Sequence, residues 1–452
     1  MYLLYSFLLA AGVAALLPRF LLDAARHGKY AAGLGERAGS LPPFEAGGRP
    51  VVWLHCVSVG EAQAARPLAR ALLEQYPGHA LVVSTTTQTG QRVAREAFEG
   101  QAALVFYFPF DWAWSVRRAL RSIRPSAMLV METELWPRFF RECRRRGVPV
   151  ALVNGRISEK SFGRYRRIRF FIKRVLADLQ LAVMQTEEDA GRIRALGLEG
   201  GRVRVSGNVK FDMEDAGGHP LTEELRQRFR VGEAGRPLVV AASTHAPEEA
   251  VLLEAFRRLA AGGTAPRLLV APRHPERFAE VAALLDAAGL RVARRSEAPR
   301  ESDGRSDAIL LDTIGELRAV YPLADLVFVG GSLAAIGGHN VLEPALAARC
   351  VVTGPHTSNF RAVVAALLER GALVQLPAVA EDEMPETLAR TLARLLGDAG
   401  ERRSVGERAR AAVEQNRGAT ARTVRVLAPI LEQRSDDRSR LPVEGRTVTS
   451  DI

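Results

Sequence analysis

The amino-acid sequence predicts an α/β protein made of two doubly wound halves of similar size, and three observations predict it. From residue 51 to 186, six short apolar runs alternate with amphipathic stretches of helical period, the pattern of a parallel sheet covered on both faces. The alternation pauses near 212–222, where FDMEDAGGHPLTEE carries glycines, a proline and acids with little apolar periodicity. It then restarts and runs to residue 355. A chain of 452 residues exceeds one ordinary core, and 47% hydrophobic with 25% charged residues is the composition of a folded protein.

Residues 1–22, MYLLYSFLLAAGVAALLPRFLL, are uncharged until Arg19, and Arg26, His27 and Lys29 follow. No basic region precedes the apolar run, so a cleaved signal peptide is disfavoured. The segment reads as a membrane anchor at the short end of spanning length, with its basic flank and everything from about residue 26 in the cytoplasm. A core helix of the first domain is the alternative reading.

In the first half, residues 23–212, the expected strands are VVWLHCVSV (51–59), ALVVSTTT (80–87), AALVFYFPF (102–110), AMLVMETE (127–134), VPVALVNG (148–155) and LQLAVMQT (179–186). Helical segments such as AQAARPLARALLEQY (62–76) and SVRRALRSIR (115–124) lie between them. Residues 213–222 are the expected linker. The second half, 223–432, offers PLVVAAST (237–244), RLLVAPR (267–273), LRVARR (290–295), DAILLDT (307–313), LVFVGGS (326–332) and CVVTGP (350–355). Two such halves place a cleft between two sets of strand carboxyl ends. The tail from 433 to 452 is polar and aperiodic, the composition of a disordered terminus.

A net charge of +11 fits nucleic acid, an anionic membrane surface or an anionic substrate, and does not choose among them. Cys56, Cys143 and Cys350 show no paired spacing, which excludes a disulfide framework or a Cys-based zinc site and suits a reducing compartment. No DxD triplet and no paired His/carboxylate spacing point to a divalent metal, so metal-independent chemistry is expected.

The segment VGGSLAAIGGHNVLEPALAARC (329–350) leaves a strand, passes through glycines and enters a helix pattern with Asn340 as a plausible cap. Free first-turn amides there suit a phosphate, while a glycine-rich turn that only closes the corner is the alternative. The segment lacks dinucleotide and phosphate-loop spacings. APRHPERF (271–278) offers Arg273, His274 and Arg277, either two guanidinium groups for an anion or a solvated loop. Gly315, Glu316 and Leu317 open a helix whose amides and carboxylate can address a base or ribose, or simply cap it. Ser243, Thr244 and His245 close the first strand of this half.

In the first half, Ser58, Gly60 and Glu61 stand at the junction of the first strand and its helix. A carboxylate there can take a proton from an incoming hydroxyl if burial raises its pKa; a first-turn Glu that only complements the helix dipole is the alternative. METELWPRF adds Glu132 and Glu134, and NGRISEKSFGRYRRIR adds Arg156, Ser158, Lys160 and Ser161, a basic, aromatic-bearing stretch suited to an anionic headgroup or to solvent. GNVKFD brings Lys210 to the domain edge.

Taken in order, HCVSVGE, METELWP, NGRIS, SGNVKFD, APRHPER, GEL and GGHNVLEPA resemble the 3-deoxy-D-manno-octulosonic acid (Kdo) transferases of lipopolysaccharide synthesis. The similarity runs from the amino-terminal segment to about residue 430. Cys56 and Val341 depart slightly within the motifs, and the tail after 433 has no counterpart. The resemblance implies the glycosyltransferase-B fold and transfer of Kdo from CMP-Kdo to lipid IVA at the cytoplasmic face of the bacterial inner membrane. It implies Glu61 as general base, and Pro272, Arg273, Gly315, Glu316, Leu317, Asn340, Val341, Leu342 and Glu343 around CMP. Ser58, Gly60, Glu132, Glu134, Arg156, Lys210, Ser243, His245 and His274 are expected to position donor or acceptor. Neither a metal nor another cofactor is expected, and no nucleic-acid partner. Two rival readings stay open: a glycosyltransferase of the same fold using a UDP-sugar and another lipid-linked acceptor, and a non-enzymatic protein binding anionic lipid through its basic faces.

Overall fold

A computed structural model describes residues 1–2, 4–13, 15, 33–212, 220–233 and 235–438, the last six through their backbone alone. The chain forms two compact units, Met1–Asp212 with Arg417–Ile452, and Met213–Asn416.

The first unit carries a seven-stranded parallel sheet of β1 (Val51–His55), β2 (Ala80–Thr85), β3 (Ala102–Tyr107), β4 (Ala127–Met131), β5 (Val150–Gly155), β6 (Leu181–Met184) and β7 (Val203–Val205), in the order β3-β2-β1-β4-β5-β6-β7. Its central strands read as continuous apolar runs because both faces are covered. Along β1, Val51 and Trp53 enter one core and Val52 and Leu54 the other, the two-residue period of a strand. Helices start where Ser58, Thr87, Ser158 and Thr186 accept a first-turn N–H through their side chains.

The second unit repeats the plan with β8 (Leu238–Thr244), β9 (Arg267–Pro272), β10 (Val292–Arg294), β11 (Ala308–Leu310), β12 (Leu326–Val329), β13 (Cys350–Thr353) and β14 (Val374–Gln375), in the order β10-β11-β9-β8-β12-β13-β14. Strand order reverses between β1 and β4 in one unit and between β8 and β12 in the other. Ligands of doubly wound sheets bind beyond the strand carboxyl ends at such a reversal.

Three boundaries differ from expectation. The second unit ends at Asn416, short of 432, and the helix Ala419–Arg438 returns to the first unit. There Ala419, Val424, Leu427, Ile430 and Leu431 complete the core on one face of the first sheet. The Asp212 carboxylate fastens the return by accepting from the Gly418 and Thr420 amides. That helix also carries 433–438, so the expected polar tail starts as helix; 439–452 lie outside the described residues. Residues 213–219 of the expected linker lie outside them too, and 220–222 open the helix Pro220–Phe229. Because Leu427 is fully buried, Leu427→Ala is expected to destabilise the first unit by about 3 kcal/mol, read as a lower urea midpoint; an unchanged midpoint would separate this helix from that core.

Of the expected anchor, residues 2, 4–13 and 15 are helical, while 3, 14 and 16–22 lie outside the described residues. No described helix is long and apolar enough to cross a membrane. The Tyr2 hydroxyl donates to Asp178 at 2.6 Å, the Tyr5 hydroxyl to Asp111 at 2.9 Å, and Arg138 Nε to the Ser6 hydroxyl at 2.7 Å. These contacts hold one side of the segment on the first unit and leave Leu4, Phe7 and Leu8 exposed.

Candidate active site

In the first unit, the residues singled out in the sequence gather at the β1/β4 reversal. Ser58 caps the helix Val59–Gln75, its Oγ accepting from the Glu61 N–H at 3.3 Å and donating to Glu61 Oε1 at 3.0 Å. Glu61 Oε2 accepts from the Val57 N–H at 2.8 Å. This is a capping-box arrangement shifted by one residue, and it holds the carboxyl rather than leaving it to solvent. Glu61 is 8% exposed. Burial, then the charges of Glu132 and Glu134, push its pKa up to about 8 against the opposing pull of Val57 and Ser58. A Cβ at Gly60 would meet nothing closer than the Ser58 hydroxyl at 3.9 Å, so space does not demand a glycine there.

Glu132 leaves β4 with a left-handed φ of 53°, a conformation uncommon for a residue with a Cβ. Its N–H donates to Val153 O at 2.9 Å, and its carboxylate pairs with Lys210 Nζ at 3.1 Å. Lys210 sits in a 3₁₀ turn whose Val209 N–H donates to Asn154 Oδ1 at 3.1 Å. The buried Asn154, itself at φ 55°, therefore sets the lysine's place, a role the sequence reading missed although an Asn-Gly pair closes β5. Burial and Glu132 raise the pKa of Glu134. Arg156 is tied to the same loop, its N–H donating to the Thr133 hydroxyl at 3.0 Å. Ser158 and Ser161 instead serve a helix start, the Ser161 N–H donating to Ser158 Oγ at 3.2 Å. Behind these acids His55 lies buried against Phe108, rings 3.9 Å apart, and burial lowers its pKa to about 3, so it stays a neutral wall.

In the second unit, the loops after β8, β9 and β12 meet at the other reversal. The glycine-rich stretch does hold an anion, and the anion is the protein's own. Glu248, fully buried, accepts from the Gly331 N–H (2.8 Å), Ser332 N–H (2.9 Å), Leu333 N–H (2.8 Å), Ala334 N–H (3.3 Å) and His245 N–H (3.0 Å). A Cβ at Gly330 would lie 2.7 Å from Glu248 Oε2, which is why the turn needs glycine. Glu248 thus occupies the amides at 331–334, upstream of the first-turn amides after Asn340 that the sequence suggests for a phosphate. The helix that follows is only Leu342–Leu346, and Asn340 Oδ1 takes its Leu342 N–H at 3.0 Å. An Asx turn of this kind opens a helix of little more than one turn, so little helix dipole is available there.

Ion pairs within the fold engage two further side chains that the sequence offers for a ligand. Arg277 is held by Glu249 at 2.6 and 3.1 Å and by Glu280 at 2.9 Å, which leaves Arg273, exposed beside it, as the guanidinium open to a ligand. The Glu316 carboxylate is gripped by Arg295 at 2.7 and 3.2 Å and by the Thr313 hydroxyl at 3.0 Å, so its charge is spent within the protein. Gly315 turns the chain at φ 88° ahead of it, and Leu317 opens the short helix Leu317–Val320. Arg318 faces Glu343, whose pKa burial raises, so the 315–318 and 340–343 segments are neighbours. Pro272 ends β9, and the Arg273 N–H donates to Thr244 O at 3.0 Å. Ser243, at φ 54°, turns the chain out of β8 toward His245. His245 in turn meets His339 and His274. Glu248 and His339 escaped the sequence reading as site residues.

Comparison with known proteins shows the fold and the family. A family model described as 3-Deoxy-D-manno-octulosonic-acid transferase (kdotransferase) matches residues 32–213. The chain is 33% identical over 412 residues to the 3-deoxy-D-manno-octulosonic acid transferase of Haemophilus influenzae, covering 90% of this chain and 93% of that one. It is 36% identical over 389 residues to the Bordetella pertussis protein of the same name, covering 83% and 86%. Among solved structures it resembles a glycosyltransferase from Rickettsia africae (TM-score 0.54, 12% identity, 85% of this chain and 99% of that). The UDP-GlcNAc 2-epimerase of Neisseria meningitidis, bound to UDP-GlcNAc, is equally similar (TM-score 0.54, 12% identity, 85% and 100%). At such identities these two likenesses show the fold alone, a two-domain α/β architecture of the glycosyltransferase-B kind. The relatives that match nearly end to end show more: the chain belongs to the 3-deoxy-D-manno-octulosonic acid (Kdo) transferase family of glycosyltransferases.

Proposed function

We propose that the protein transfers Kdo from CMP-Kdo to lipid IVA, the lipid A precursor, with inversion at the anomeric carbon, no metal ion and Glu61 as general base. The observation that carries this reading is the Glu61 carboxyl, held by Ser58 and Val57 and poised near neutrality at the β1/β4 reversal. A base of that pKa removes a sugar hydroxyl proton as the oxygen attacks, and general-base assistance contributes about 10²–10⁴-fold. Glu132 and Lys210, fixed against each other, position donor or acceptor together with Glu134 and Arg156. In the second unit Pro272 and Arg273, Gly315 to Leu317 and Asn340 to Glu343 take the CMP moiety. Arg273 offsets charge on the departing phosphate, a role that metal-dependent transferases give to a cation.

A lipid acceptor fits the first unit's surface. Leu4, Phe7 and Leu8 are exposed on the amino-terminal helix, and Ile168 and Phe170 are exposed beside Phe171, which stacks on Tyr5 at 5.8 Å. Arg166, Arg167, Arg169, Lys173 and Arg174 flank them in the chain. Apolar side chains rimmed by cations suit the anionic cytoplasmic face of an inner membrane.

The test is direct. Purified protein in detergent with EDTA, lipid IVA and a CMP-Kdo-generating system is expected to yield lipid heavier by whole Kdo units in mass spectrometry. Unchanged lipid, with the donor shown to be present, would overturn the reading in favour of another donor.

A further inference from the structure

The β8/β12 reversal holds an unusual contact: His245 Nε2 and His339 Nε2 are 2.8 Å apart. The two rings are inclined by only 6°, with centroids 5.0 Å apart, so they lie nearly in one plane with their nitrogens pointed at each other. Two bare nitrogens repel at that distance, and so do two N–H groups. One proton must therefore sit between them, donated by one ring and accepted by the other. The neutral pair satisfies this with complementary tautomers, and a singly charged pair satisfies it better through a charge-assisted hydrogen bond. A second charge would break the contact, so the pair holds one positive charge at most.

The framework around the pair is fixed. The His245 N–H is anchored on Glu248, and the same carboxylate shapes the glycine turn against which His339 packs; a Cβ at Gly331 would lie 2.8 Å from the His339 ring. The charged surroundings are mostly positive. Arg273 and His274 face the pair from the loop after β9, with His274 meeting His245 ring to ring at 5.1 Å. Arg277 lies beyond them, neutralised by Glu249, and His356 stands on the loop after β13 that packs on Gly338. Glu343 and Arg318 offset each other past Asn340. Burial, and then the neighbouring side chains with Arg273 among them, lower the pKa of both rings, that of His339 to about 4, so without a ligand the pair is neutral near pH 7.

We infer that His245 and His339 act as one proton-sharing unit that takes up a proton from solvent when a nucleotide phosphate occupies the Arg273–Asn340 site, matching the charge of that phosphate with a cation made on demand. The inference rests on the donor reading proposed above. Electrostatics gives the sign: a phosphate beside the pair favours its charged form, and by reciprocity protonation of the pair favours the phosphate. The gain is largest where charge develops, because a phosphodiester monoanion becomes a monoester dianion as the sugar leaves. The proton that the pair takes up stays on its rings, and the acceptor's hydroxyl proton goes separately to Glu61.

The experiment is isothermal titration of the full chain with CMP near pH 7.5 in buffers of low and high ionisation enthalpy, whose difference counts protons exchanged. Wild type is expected to take up a sizeable fraction of a proton more than His339→Gln and His245→Gln, since the titration of CMP itself is common to all three and cancels. Binding with equal proton counts would overturn the inference and leave the donor reading standing. Absence of CMP binding by wild type would overturn both. Should either variant fail to fold, imidazole ¹⁵N shifts of the wild-type protein, which has 8 histidines, give the same answer: the signals of one ring pair shifting toward the imidazolium position by the equivalent of one added proton on CMP saturation supports the inference, and an unmoved set of signals rejects it.

Discussion

Glu61→Gln is expected to lower kcat for Kdo transfer by about 10²–10⁴-fold while leaving CMP affinity within about twofold, the size of a general-base contribution removed without altering shape. The amide is isosteric and keeps the local bonds: its oxygen accepts from the Val57 N–H, and its NH₂ donates to the Ser58 hydroxyl that now donates to Glu61. The pH dependence follows from the same group. A base works when deprotonated, so the wild-type rate at limiting substrate rises with pH and levels off above about 8, where burial and the neighbouring acids place the Glu61 pKa; the residual rate of the variant lacks that rise. Stability moves the opposite way. The ordinary value of 4.5 applies to the unfolded chain, so between pH 4.5 and 8 unfolding releases a proton that the native state retains. Native stability therefore falls as pH rises through that window, and the penalty is complete above it. Glu61→Gln escapes the penalty and is expected to melt above wild type at pH 8, with the gap closing toward pH 5. Near-normal transfer by the variant would remove Glu61 from the chemistry; a melting gap that does not depend on pH would remove the raised pKa.

Much of this architecture is legible in the sequence because the central strands of parallel sheets are buried on both faces. VVWLH, AMLVM and LVFV stand out as uninterrupted apolar runs. β14, of two residues, is too short for any period to show, and β7 reads VRV with an exposed arginine at its centre, no apolar run at all. The returning helix Ala419–Arg438 carries an ordinary amphipathic pattern, and nothing local says which sheet its Leu427 will cover. The same divide runs through the site. Ser58 and Glu61 lie three residues apart and announce themselves as a helix start with a carboxyl in it. Glu248 and the glycine turn lie 83 residues apart in the chain, and their relation exists only once β8 and β12 are adjacent. Arg295 reaches Glu316 across 21 residues, so a carboxylate that looks free in sequence is already neutralised in the fold. Residue type tells what chemistry is possible at a strand end; which partners have consumed it is a property of topology.

That distinction sets the second large expectation, at Glu248. Its two oxygens accept five backbone N–H groups, more than a protonated carboxyl can accommodate without turning an O–H against an N–H. Burial pushes its pKa up while these donors pull it down, and the geometry is that of the ionised form. A buried anion held by converging amides is an internal version of the nests that bind phosphate. Glu248→Ala leaves those amides without an acceptor, each costing about 1–3 kcal/mol where water cannot reach. Leu333 and Ala334 are half-buried and rehydrate, so the expected loss is about 3–5 kcal/mol rather than the full sum. Glu248→Gln is the more informative variant. Its oxygen can serve Ser332, Leu333 and Ala334 or His245 and Gly331, and whichever set is left then faces an NH₂ group. The turn should loosen on that side, and with it the seat of His339 and Asn340, weakening CMP binding by at least tenfold in a protein that still folds. Urea unfolding and CMP titration of the two variants check this. Wild-type stability and wild-type CMP affinity in Glu248→Gln would mean that the glycine turn keeps its shape without the carboxylate, and that the anion it encloses has no part in building the donor site.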